Sequence, residues 1–241
     1  MEPIYQETFS VSRMHTDRFG RLTASALLYF VQQAAGAHCR LLGADAERLG
    51  ALFWAVSRVS AEITRLPTLG ETITVETWPM PTSRVAYPRA VMARDENGEL
   101  LFKVVSLWVL MDKNTRAMVL PGQSGVEVNG ILTGSELPIP RSVALRPMEN
   151  TANRTVGFTL LDENGHMNNT RYLDWVTDLL SSDFHRSHPM RGFTVCYLSE
   201  ARENDGISLD FDLSAEAVLT VSARKNTGDS DTRIFSAQVL F

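Results

Sequence analysis

The alternation of hydrophobic and polar residues changes its period along the chain, and each change predicts a different element. Residues 4–12 alternate weakly and predict a strand, whereas residues 27–42 place apolar side chains at helical spacing and predict a long helix. Thr23 or Ser25 suits the start of this helix, and Gly43 suits its end. The wide apolar face predicts that the helix packs against a sheet.

Beyond this helix the period becomes that of strands. The strands predicted in the first half lie at residues 53–63, 72–78, 85–94 and 100–111. Residues 120–147 are rich in Gly and Pro and have no regular period, which is typical of a linker. The pattern then predicts a strand at 155–161 and a helix at 168–184 with Asn168 or Asn169 as its N-cap. The later strands are predicted at residues 193–201, 207–213, 218–225 and 232–241, with a last hairpin turn at Gly228.

The two halves of the chain resemble each other. Residues 17–20 (Asp-Arg-Phe-Gly) parallel residues 162–165 (Asp-Glu-Asn-Gly), and both stretches precede a predicted helix. Further along, Glu62 parallels Glu200 and Gly70 parallels Gly206. Each half therefore reads as a strand, a turn, a long helix and about four antiparallel strands.

This repeat predicts the fold class and the domains. A long helix wrapped by a curved antiparallel sheet buries the apolar faces of both elements, which gives an α+β unit used twice. We expect an N-terminal domain over residues 1–130, a linker over 131–150 and a C-terminal domain over 151–241.

The candidate chemistry lies just before the second predicted helix. Asp162, Asn164 and His166 alternate, and alternate residues of an extended backbone point to the same side. Gly165 allows a tight turn among them, and a helix N-terminus behind them favours developing negative charge. Two interpretations remain open: a catalytic constellation, or a polar turn that caps the helix and carries a solvated histidine.

Glu200 is a second candidate, because a carboxylate next to an apolar strand is costly to bury without partners. It either meets the face formed by Asp162 and His166 or pairs with Arg202 in water. The first half carries Arg21 where the second carries His166, so we assign any chemistry to the second half.

The other reactive side chains favour a structural role. His38 lies on or near the apolar face of the first helix, where a hydrogen-bonded core histidine is expected. Cys39 and Cys196 lack the spacing of a metal or redox site and are expected to be reduced and buried. We therefore expect neither a metal ion nor a cofactor.

Composition narrows the class of protein further. Apolar residues make up 44% of the chain and charged residues 21%, as in ordinary globular proteins. The net charge of −5 excludes a globally basic nucleic-acid binder. The chain has no apolar run long enough to span a membrane, and residues 1–7 resemble neither a signal peptide nor a transit peptide. We expect a cytoplasmic protein.

Several separated stretches, in the same order, resemble the acyl-ACP thioesterases of plant plastids and bacteria. Residues 162–172 (DENGHMNNTRY) resemble the family signature Asp-x-Asn-x-His-x-Asn-Asn-x-x-Tyr, and residues 197–201 (YLSEA) resemble a Tyr-x-x-Glu-Cys stretch of the plant enzymes. The remaining matches are residues 53–58 (FWAVSR), 67–71 (PTLGE) and 106–116 (SLWVLMDKNTR).

The resemblance implies a tandem hotdog fold that hydrolyses fatty acyl-ACP thioesters to free fatty acid and holo-ACP, which ends fatty acid synthesis. It implies that the first half holds the acyl chain and that Asp162, Asn164, His166 and Glu200 are the catalytic set in the second. Ala201 replaces the plant cysteine, which excludes a cysteine nucleophile at that position.

The catalytic roles can be divided in more than one way. Glu200 would activate water or attack directly, and His166 would position the water or protonate the leaving thiolate. Asp162 would orient the other groups, while the Asn164 amide and the backbone N–H groups of residues 165–167 would stabilise the carbonyl oxygen. Both Glu200→Gln and Asp162→Asn are expected to lose most turnover.

The expected partner is an acyl carrier protein with a phosphopantetheine-linked acyl chain. An acidic carrier needs a local basic patch on this chain, for which the candidate residues are Arg84, Arg89, Arg141, Arg146 and Arg171. The chain is expected to be a monomer or a homodimer. The alternative functions are a hotdog acyl-CoA thioesterase, a hotdog dehydratase, which the Asn-rich motif fits poorly, and a non-catalytic acyl-ligand sensor.

Overall fold

The computed structural model describes residues 3–45, 47–227 and 230–241. The chain forms two compact units, Met1–Pro140 (unit 1) and Arg141–Phe241 (unit 2). The division falls inside residues 131–150, the predicted linker. The hairpin turn predicted at Gly228 lies outside the described residues.

Unit 1 is an antiparallel sheet with one long helix. Its strands are β1 (Tyr5–Ser10), β2 (Leu52–Ile63), β3 (Thr72–Pro79), β4 (Tyr87–Asp95), β5 (Leu100–Asp112) and β6 (Met118–Val119), and its helices are α1 (Ala24–Leu42) and α2 (Pro121–Ser124). The strand order is β1-β3-β4-β5-β2, and the short β6 pairs with β5. The strands predicted from alternation are all present, whereas β6 and α2 are too short to give a periodic signal.

The long helix α1 begins and ends where its caps predict. The Thr23 side chain accepts a hydrogen bond from the backbone N–H of Ala26 at 3.2 Å, and Gly43 ends the helix in the left-handed region with φ of 72°. The apolar face is buried, and Phe30 stacks on Phe9 of β1 with ring centroids 4.5 Å apart. The helix is therefore fixed against the sheet of its own unit.

The segment after α2 continues to pack on unit 1. The backbone N–H of Ile131 donates to the carbonyl of Pro79 at 2.9 Å, and the indole N–H of Trp78 donates to Glu136 Oε1 at 2.9 Å. A Cβ atom on Gly130 would lie 2.1 Å from the carbonyl carbon of Met80, so only glycine fits there. Residues 130–136 are therefore held on the end of β3.

Unit 2 repeats the arrangement in a shorter form. Its strands are β7 (Asn150–Thr155), β8 (Gly192–Tyr197), β9 (Gly206–Leu213), β10 (Val218–Thr227) and β11 (Ser230–Leu240), and its helices are α3 (Tyr172–Thr177) and α4 (Ser182–Ser187). The strand order is β8-β11-β10-β9-β7, with every pair antiparallel. The α+β class predicted from the repeat is thus present in both units.

Two predicted elements of unit 2 are wrong in detail. The strand predicted at 155–161 lies earlier in the chain, at β7. The prediction missed β7 because the residues of this edge strand are mostly polar and exposed and give no hydrophobic signal. The long helix predicted at 168–184 is broken into α3 and α4. The break occurs because the Ser181 side chain accepts from the backbone N–H of Phe184 at 3.2 Å and starts a new helix.

Hydrogen bonds define how the two units correspond. The backbone N–H of Leu22 donates to the carbonyl of Pro67 at 2.7 Å, and the N–H of Met167 donates to Ala201 at 2.8 Å. Ala201 therefore corresponds to Pro67, and the residue before it, Glu200, corresponds to Leu66 rather than to Glu62.

The same correspondence continues into the next turn. Gly70, with φ of 91°, corresponds to Asn204, with φ of 66°, rather than to Gly206. Gly206 instead begins β9, as Thr72 begins β3. Sequence identity at single glycine and glutamate positions gave the wrong register for this part of the repeat.

No helix among the described residues is both long and apolar enough to cross a membrane.

Candidate active site

The Asp162 side chain organises a tight turn in unit 2. Its Oδ1 accepts from the backbone N–H of Asn164 at 2.9 Å and from that of His166 at 3.2 Å. The backbone of Asp162 exchanges two further bonds with the turn: its carbonyl accepts from the Gly165 N–H at 3.0 Å, and its N–H donates to the His166 carbonyl at 2.8 Å. Gly165 adopts φ of 75°, which a side chain would strain.

This turn corrects the predicted alternation. Residues 162–166 form a turn and are not extended, so alternation along a strand does not place Asp162, Asn164 and His166 on one side. The Asp162 carboxylate bonds to the backbone, and Asn164 is exposed at the tip of the turn. Of the four predicted residues, His166 and Glu200 are in side-chain contact, and Asp162 meets His166 through its backbone N–H.

His166 and Glu200 form the polar pair of the site. His166 Nε2 lies 3.0 Å from Glu200 Oε2, with 17% and 40% of the two side chains exposed. Because a carboxylate can only accept, His166 carries a proton on Nε2 in this contact. Arg202 Nη2 lies 4.0 Å from the same Glu200 oxygen. Glu200 therefore contacts both partners that the sequence offered as alternatives.

Backbone contacts hold the two segments of this pair together. The Met167 N–H donates to the Ala201 carbonyl at 2.8 Å, and His166 and Arg202 form an isolated antiparallel bridge. The Arg202 N–H donates to Asp205 Oδ2 at 2.9 Å, which closes the turn after Glu200. The separation of His166 and Glu200 is thus set by the main chain.

Two buried tyrosines support the same region. The Tyr172 ring packs against Tyr197 and Phe235, with ring centroids 5.8 Å and 4.9 Å away. The Tyr197 hydroxyl donates to the Asn169 carbonyl at 2.9 Å. Burial raises the pKa of both phenols well above the usual range, and for Tyr172 the backbone of Ala201 opposes this shift while Asp162 adds to it. Both tyrosines are neutral at ordinary pH.

Tyr172 is a supporting residue that the predicted site does not include. Its side chain reaches the backbone of Ala201, next to Glu200, and lies near enough to Asp162 for the two to interact electrostatically. The sequence contains a signal for this residue, because Tyr172 is the last residue of the signature stretch that begins at Asp162.

The donors predicted for the carbonyl oxygen are already in use. The backbone N–H groups of Gly165, His166 and Met167 donate to Asp162 or to Ala201. Helix α3 begins at Tyr172 with Arg171 before it, so neither asparagine is its N-cap. Asn168 instead bonds the N–H and hydroxyl of Thr170 at 3.0 and 2.8 Å. The predicted stabilisation by residues 165–167 is wrong for this conformation.

The His38 prediction is confirmed. His38 is 1% exposed, and its Nδ1 lies 3.2 Å from Nη1 of Arg89. Arg89 itself is only 6% exposed, so it cannot join a surface patch for a carrier protein, and that part of the prediction is wrong. Both cysteines are free; Cys196 is buried and Cys39 is half-buried. In the described part of the chain, no three His, Cys, Asp or Glu side chains form a metal-binding cluster.

Unit 1 contains a cavity of about 570 Å³ beside the second half of α1. Apolar and aromatic side chains from α1, β2, β4 and β5 form much of its wall, including Leu42, Trp54, Tyr87 and Trp108. This size falls within the range of about 300–1,000 Å³ that is typical of small-molecule sites.

Two family models of known proteins match the chain. Residues 2–120 match the sequence model of the acyl-ACP thioesterase N-terminal domain, and residues 147–237 match that of the acyl-ACP thioesterase C-terminal domain. The Asp162 turn and Glu200 both lie within the second match.

Named relatives agree with these matches. The chain is 26% identical over 214 residues to the chloroplastic palmitoyl-acyl carrier protein thioesterase of Gossypium hirsutum, covering 82% of this chain and 52% of the relative. It is 25% identical over 218 residues to the chloroplastic dodecanoyl-[acyl-carrier-protein] hydrolase of Cinnamomum camphora, covering 82% of this chain and 56% of the relative. The chain thus spans about half the length of these relatives.

Solved structures have the same fold over the whole chain. An acyl-ACP thioesterase from Bacteroides thetaiotaomicron superposes with a TM-score of 0.85 at 25% identity, covering 99% of this chain and 98% of that one. The 12:0-ACP thioesterase from Umbellularia californica superposes with a TM-score of 0.83 at 21% identity, covering 100% and 97%. The predicted fold class, two tandem α+β hotdog units, is confirmed.

Proposed function

Because the chain belongs to the acyl-ACP thioesterase family, we propose that it hydrolyses fatty acyl-ACP thioesters to a free fatty acid and holo-ACP. The observation that supports this most directly is the contact between His166 Nε2 and Glu200 Oε2 at 3.0 Å within unit 2. A histidine held against a carboxylate is an arrangement suited to general acid–base chemistry on a thioester.

Glu200 is the proposed base. Its carboxylate takes a proton from water while the water oxygen attacks the thioester carbonyl carbon. The tetrahedral intermediate then collapses, the C–S bond breaks, and the leaving phosphopantetheine sulfur takes the proton that Glu200 accepted, which returns Glu200 to its carboxylate form. His166 donates to Glu200 Oε2 and so fixes the orientation of the carboxylate during the attack. Direct attack by Glu200 to form an anhydride is the alternative first step.

Asp162 is a proposed positioning residue, because its carboxylate bonds the backbone N–H of His166 at 3.2 Å. It fixes the main chain from which the His166 ring projects. Asn164 is exposed at the tip of the turn. We assign it the predicted role of donor to the substrate carbonyl oxygen, which its amide can perform.

Unit 1 is proposed to hold the acyl chain and unit 2 to carry the catalytic groups, in line with the predicted division into domains. Arg84, Arg141, Arg146 and Arg171 are exposed and remain candidates for contact with an acidic carrier. Arg171 also lies 3.3 Å from Asp174, which reduces its net positive charge at the surface. A cytoplasmic location and a monomeric or homodimeric state stay predictions.

The test is a comparison of kcat/KM for matched acyl-ACP and acyl-CoA substrates over a series of chain lengths. We expect faster turnover of the carrier-protein esters and loss of about 100-fold or more in Glu200→Gln, since a carboxamide cannot take a proton. The matched control is Glu71→Gln in unit 1, which should leave kcat unchanged. Equal or better turnover of acyl-CoA would indicate an acyl-CoA thioesterase, and tight binding without turnover would indicate a sensor.

A further inference from the structure

The Arg202 side chain approaches the proposed base, and the proposed hydrolysis gives it no role. Arg202 Nη2 lies 4.0 Å from Glu200 Oε2, the oxygen that His166 Nε2 contacts at 3.0 Å. A positive charge this close to a carboxylate favours its ionised form. The surroundings of Arg202 therefore show whether its charge is directed at Glu200.

Backbone contacts fix the point from which the Arg202 side chain starts. Arg202 forms an isolated antiparallel bridge with His166, and side chains that lie opposite each other in such a pair are neighbours. The Arg202 carbonyl accepts from the Asp205 N–H at 3.0 Å, and its own N–H donates to Asp205 Oδ2 at 2.9 Å. None of these contacts uses the guanidinium, so a variant at this position should keep the turn.

The carboxylate of Asp205 does not compete for the guanidinium. Lys225 Nζ lies 2.7 Å from Asp205 Oδ1 and balances its charge, while Oδ2 accepts from the backbone of Arg202. Within the described part of the chain, Glu200 is the only carboxylate at ion-pair distance from Arg202. The Arg202 side chain is 68% exposed, so water weakens the effect of its charge without removing it at this distance.

Unit 1 has no charge at the corresponding position. The isolated bridge between His166 and Arg202 has an equivalent in unit 1, between Arg21 and Thr68. Thr68 is therefore the counterpart of Arg202. The Thr68 N–H donates to Glu71 Oε1 at 3.0 Å, as the Arg202 N–H donates to the aspartate three residues later. The Thr68 hydroxyl donates to the same Glu71 oxygen and so stays within its own turn.

Three side chains therefore differ together between the two units. They are His166, Glu200 and Arg202 in unit 2, and Arg21, Leu66 and Thr68 in unit 1. The backbone contacts are shared, so the fold of the turn does not require an arginine at position 202. An arginine that accompanies the proposed base without being needed by the fold is expected to act on that base.

We propose that Arg202 is a positioning residue for the hydrolysis: its charge keeps Glu200 ionised and holds Oε2 in place, so that the carboxylate can take a proton from water. The inference rests on the proposed function, because it takes Glu200 as the base. At about 4 Å in water, a single charge shifts the protonation of a neighbouring group by about half a pH unit. The effect of Arg202 is therefore small at neutral pH and largest where Glu200 begins to take up a proton.

Other ionisable groups lie on the segments around Glu200. These segments are the turn before α3, the turn after Glu200, and strands β10 and β11. The charged side chains on them are those of Asp162, Glu163, Glu203, Asp205, Lys225 and Arg233. The buried phenols of Tyr172 and Tyr197 are neutral at ordinary pH. All of these groups stay the same when Arg202 is replaced, so a change in titration reports on Arg202 alone.

The first experiment follows the His166 ring by NMR as the pH is varied, without substrate, with the signal assigned by its loss in His166→Gln. A nearby positive charge opposes protonation of both His166 and Glu200, so Arg202→Gln should move the titration to higher pH by about half a unit. Arg186→Gln removes an exposed charge of α4 that pairs with Asp183 and should leave the titration unchanged. Equal titration in the wild-type chain and Arg202→Gln would overturn the proposal, whether or not the chain hydrolyses a thioester.

The second experiment measures kcat/KM for one acyl-ACP as a function of pH. The acid limb reports the protonation of the free enzyme's base, so Arg202→Gln should move it to higher pH by about half a unit and leave the plateau nearly unchanged. Arg202→Lys keeps the charge and should restore the wild-type limb. A lower Tm with an unmoved limb would assign Arg202 a structural role only, and a lysine variant that behaves like Arg202→Gln would exclude the charge as the cause.

The two experiments separate this inference from the proposed function. Normal turnover of acyl-ACP with an unmoved titration would remove the role of Arg202 and leave the hydrolase intact. A shifted titration in a chain that hydrolyses no acyl-ACP would overturn the proposed function, and with it the role of Arg202 in hydrolysis, while its electrostatic contact with the pair of His166 and Glu200 would stand.

Discussion

The turn at Asp17 in unit 1 and the turn at Asp162 in unit 2 have nearly the same backbone but carry different side chains. Asp17 Oδ1 accepts from the N–H groups of Phe19 and Arg21 at 2.8 and 3.0 Å, as Asp162 Oδ1 accepts from Asn164 and His166. The glycines have φ of 74° at Gly20 and 75° at Gly165. The aspartate therefore builds the turn in both units, whether or not chemistry is present.

The difference lies in the side chain that comes directly after the glycine of each turn. Arg21 turns back onto Asp17, with Nε 3.0 Å from Oδ2, and its guanidinium lies 4.7 Å from the centre of the Phe19 ring. His166 instead reaches Glu200, whose counterpart in unit 1 is Leu66. The comparison supports a structural role for the aspartate and leaves the histidine and the glutamate to carry the proposed chemistry. Paired variants in the two units test that division.

The largest expected difference is between His166→Gln and Arg21→Gln. Loss of the imidazole leaves Glu200 without the contact that orients it, so kcat/KM for acyl-ACP should fall about 100-fold or more. Arg21→Gln removes a partly exposed ion pair and should change kcat/KM less than about twofold. Steady-state kinetics on both variants check this. Similar losses in the two would mean that either turn can affect activity through folding alone.

Asp162→Ala and Asp17→Ala should destabilise the protein to a similar degree and differ in activity. Each removes the acceptor of two backbone N–H groups, which costs about 1–2 kcal/mol by chemical denaturation. Only Asp162→Ala should also lower kcat/KM, by about tenfold or more, because the backbone N–H of His166 loses the hydrogen bond that holds it in place.

Asp162→Asn separates the negative charge of Asp162 from its role as a hydrogen-bond acceptor. An amide oxygen can replace Oδ1 as the acceptor, so we now expect Asp162→Asn to keep most activity, in contrast to the expectation from sequence. Activity as low in Asp162→Asn as in Asp162→Ala would show that the negative charge of Asp162 takes part in the reaction.

A smaller and nearly equal effect is expected from Gly20→Ala and Gly165→Ala. An alanine in the left-handed region costs about 1–2 kcal/mol, and neither added Cβ would meet an atom closer than 4.0 Å. Thermal unfolding should show a Tm lower by about 2–8 °C in each variant. Gly122→Ala, at a glycine of α2 without positive φ, is the control. A much larger loss at Gly165 would mean that the two turns are not equivalent.

The smallest expected effect is on the stability of the fold and comes from Glu136, a carboxylate of unit 1 that has a structural role. Burial favours a higher pKa for Glu136, but hydrogen bonds from Thr133 and Trp78 outweigh it and lower the pKa to about 2. Because the pKa of Glu136 is lower in the folded chain, its ionised carboxylate stabilises the fold. This stabilisation is complete above 4.5, the pKa in the unfolded chain, and is lost as the pH falls towards about 2.

The test of Glu136 is the dependence of Tm on pH. Between pH values near 4.5 and 2, the Tm of the wild-type chain should fall more steeply than that of Glu136→Gln, which cannot titrate. Parallel curves would mean that the hydrogen bonds to Trp78 and Thr133 do not depend on the charge. Activity at neutral pH should be the same in both proteins.

The sequence predicted the elements whose signals are local. Helix α1 has an N-cap at Thr23, an apolar face and a stop at Gly43, and all three were readable. Strand β7 was placed wrongly because an exposed edge strand contains few apolar residues. The break between α3 and α4 was missed because a serine inside an amphipathic pattern is compatible with a continuous helix as well as with a new cap.

The site was predictable in composition but not in geometry. His166 and Glu200 were both named, since an imidazole and a carboxylate in a matching signature point to chemistry. The direction of the Asp162 carboxylate was not predictable, because it depends on which backbone N–H groups the turn presents. The prediction of Arg89 as a surface residue is wrong, since nothing in a strand sequence shows that a cavity and His38 lie beside it.

The Asp–Gly turn shared by the two units also has a consequence for protein engineering. Its backbone is specified by Asp17 or Asp162 together with the glycine three residues later, so the residue after that glycine can vary without redesign of the loop. Position 21 in unit 1, together with position 66, the counterpart of Glu200, is therefore a suitable place for new side chains. A library at these two positions would start from a loop that is already folded, and new chemistry could be selected there while the original site continued to work.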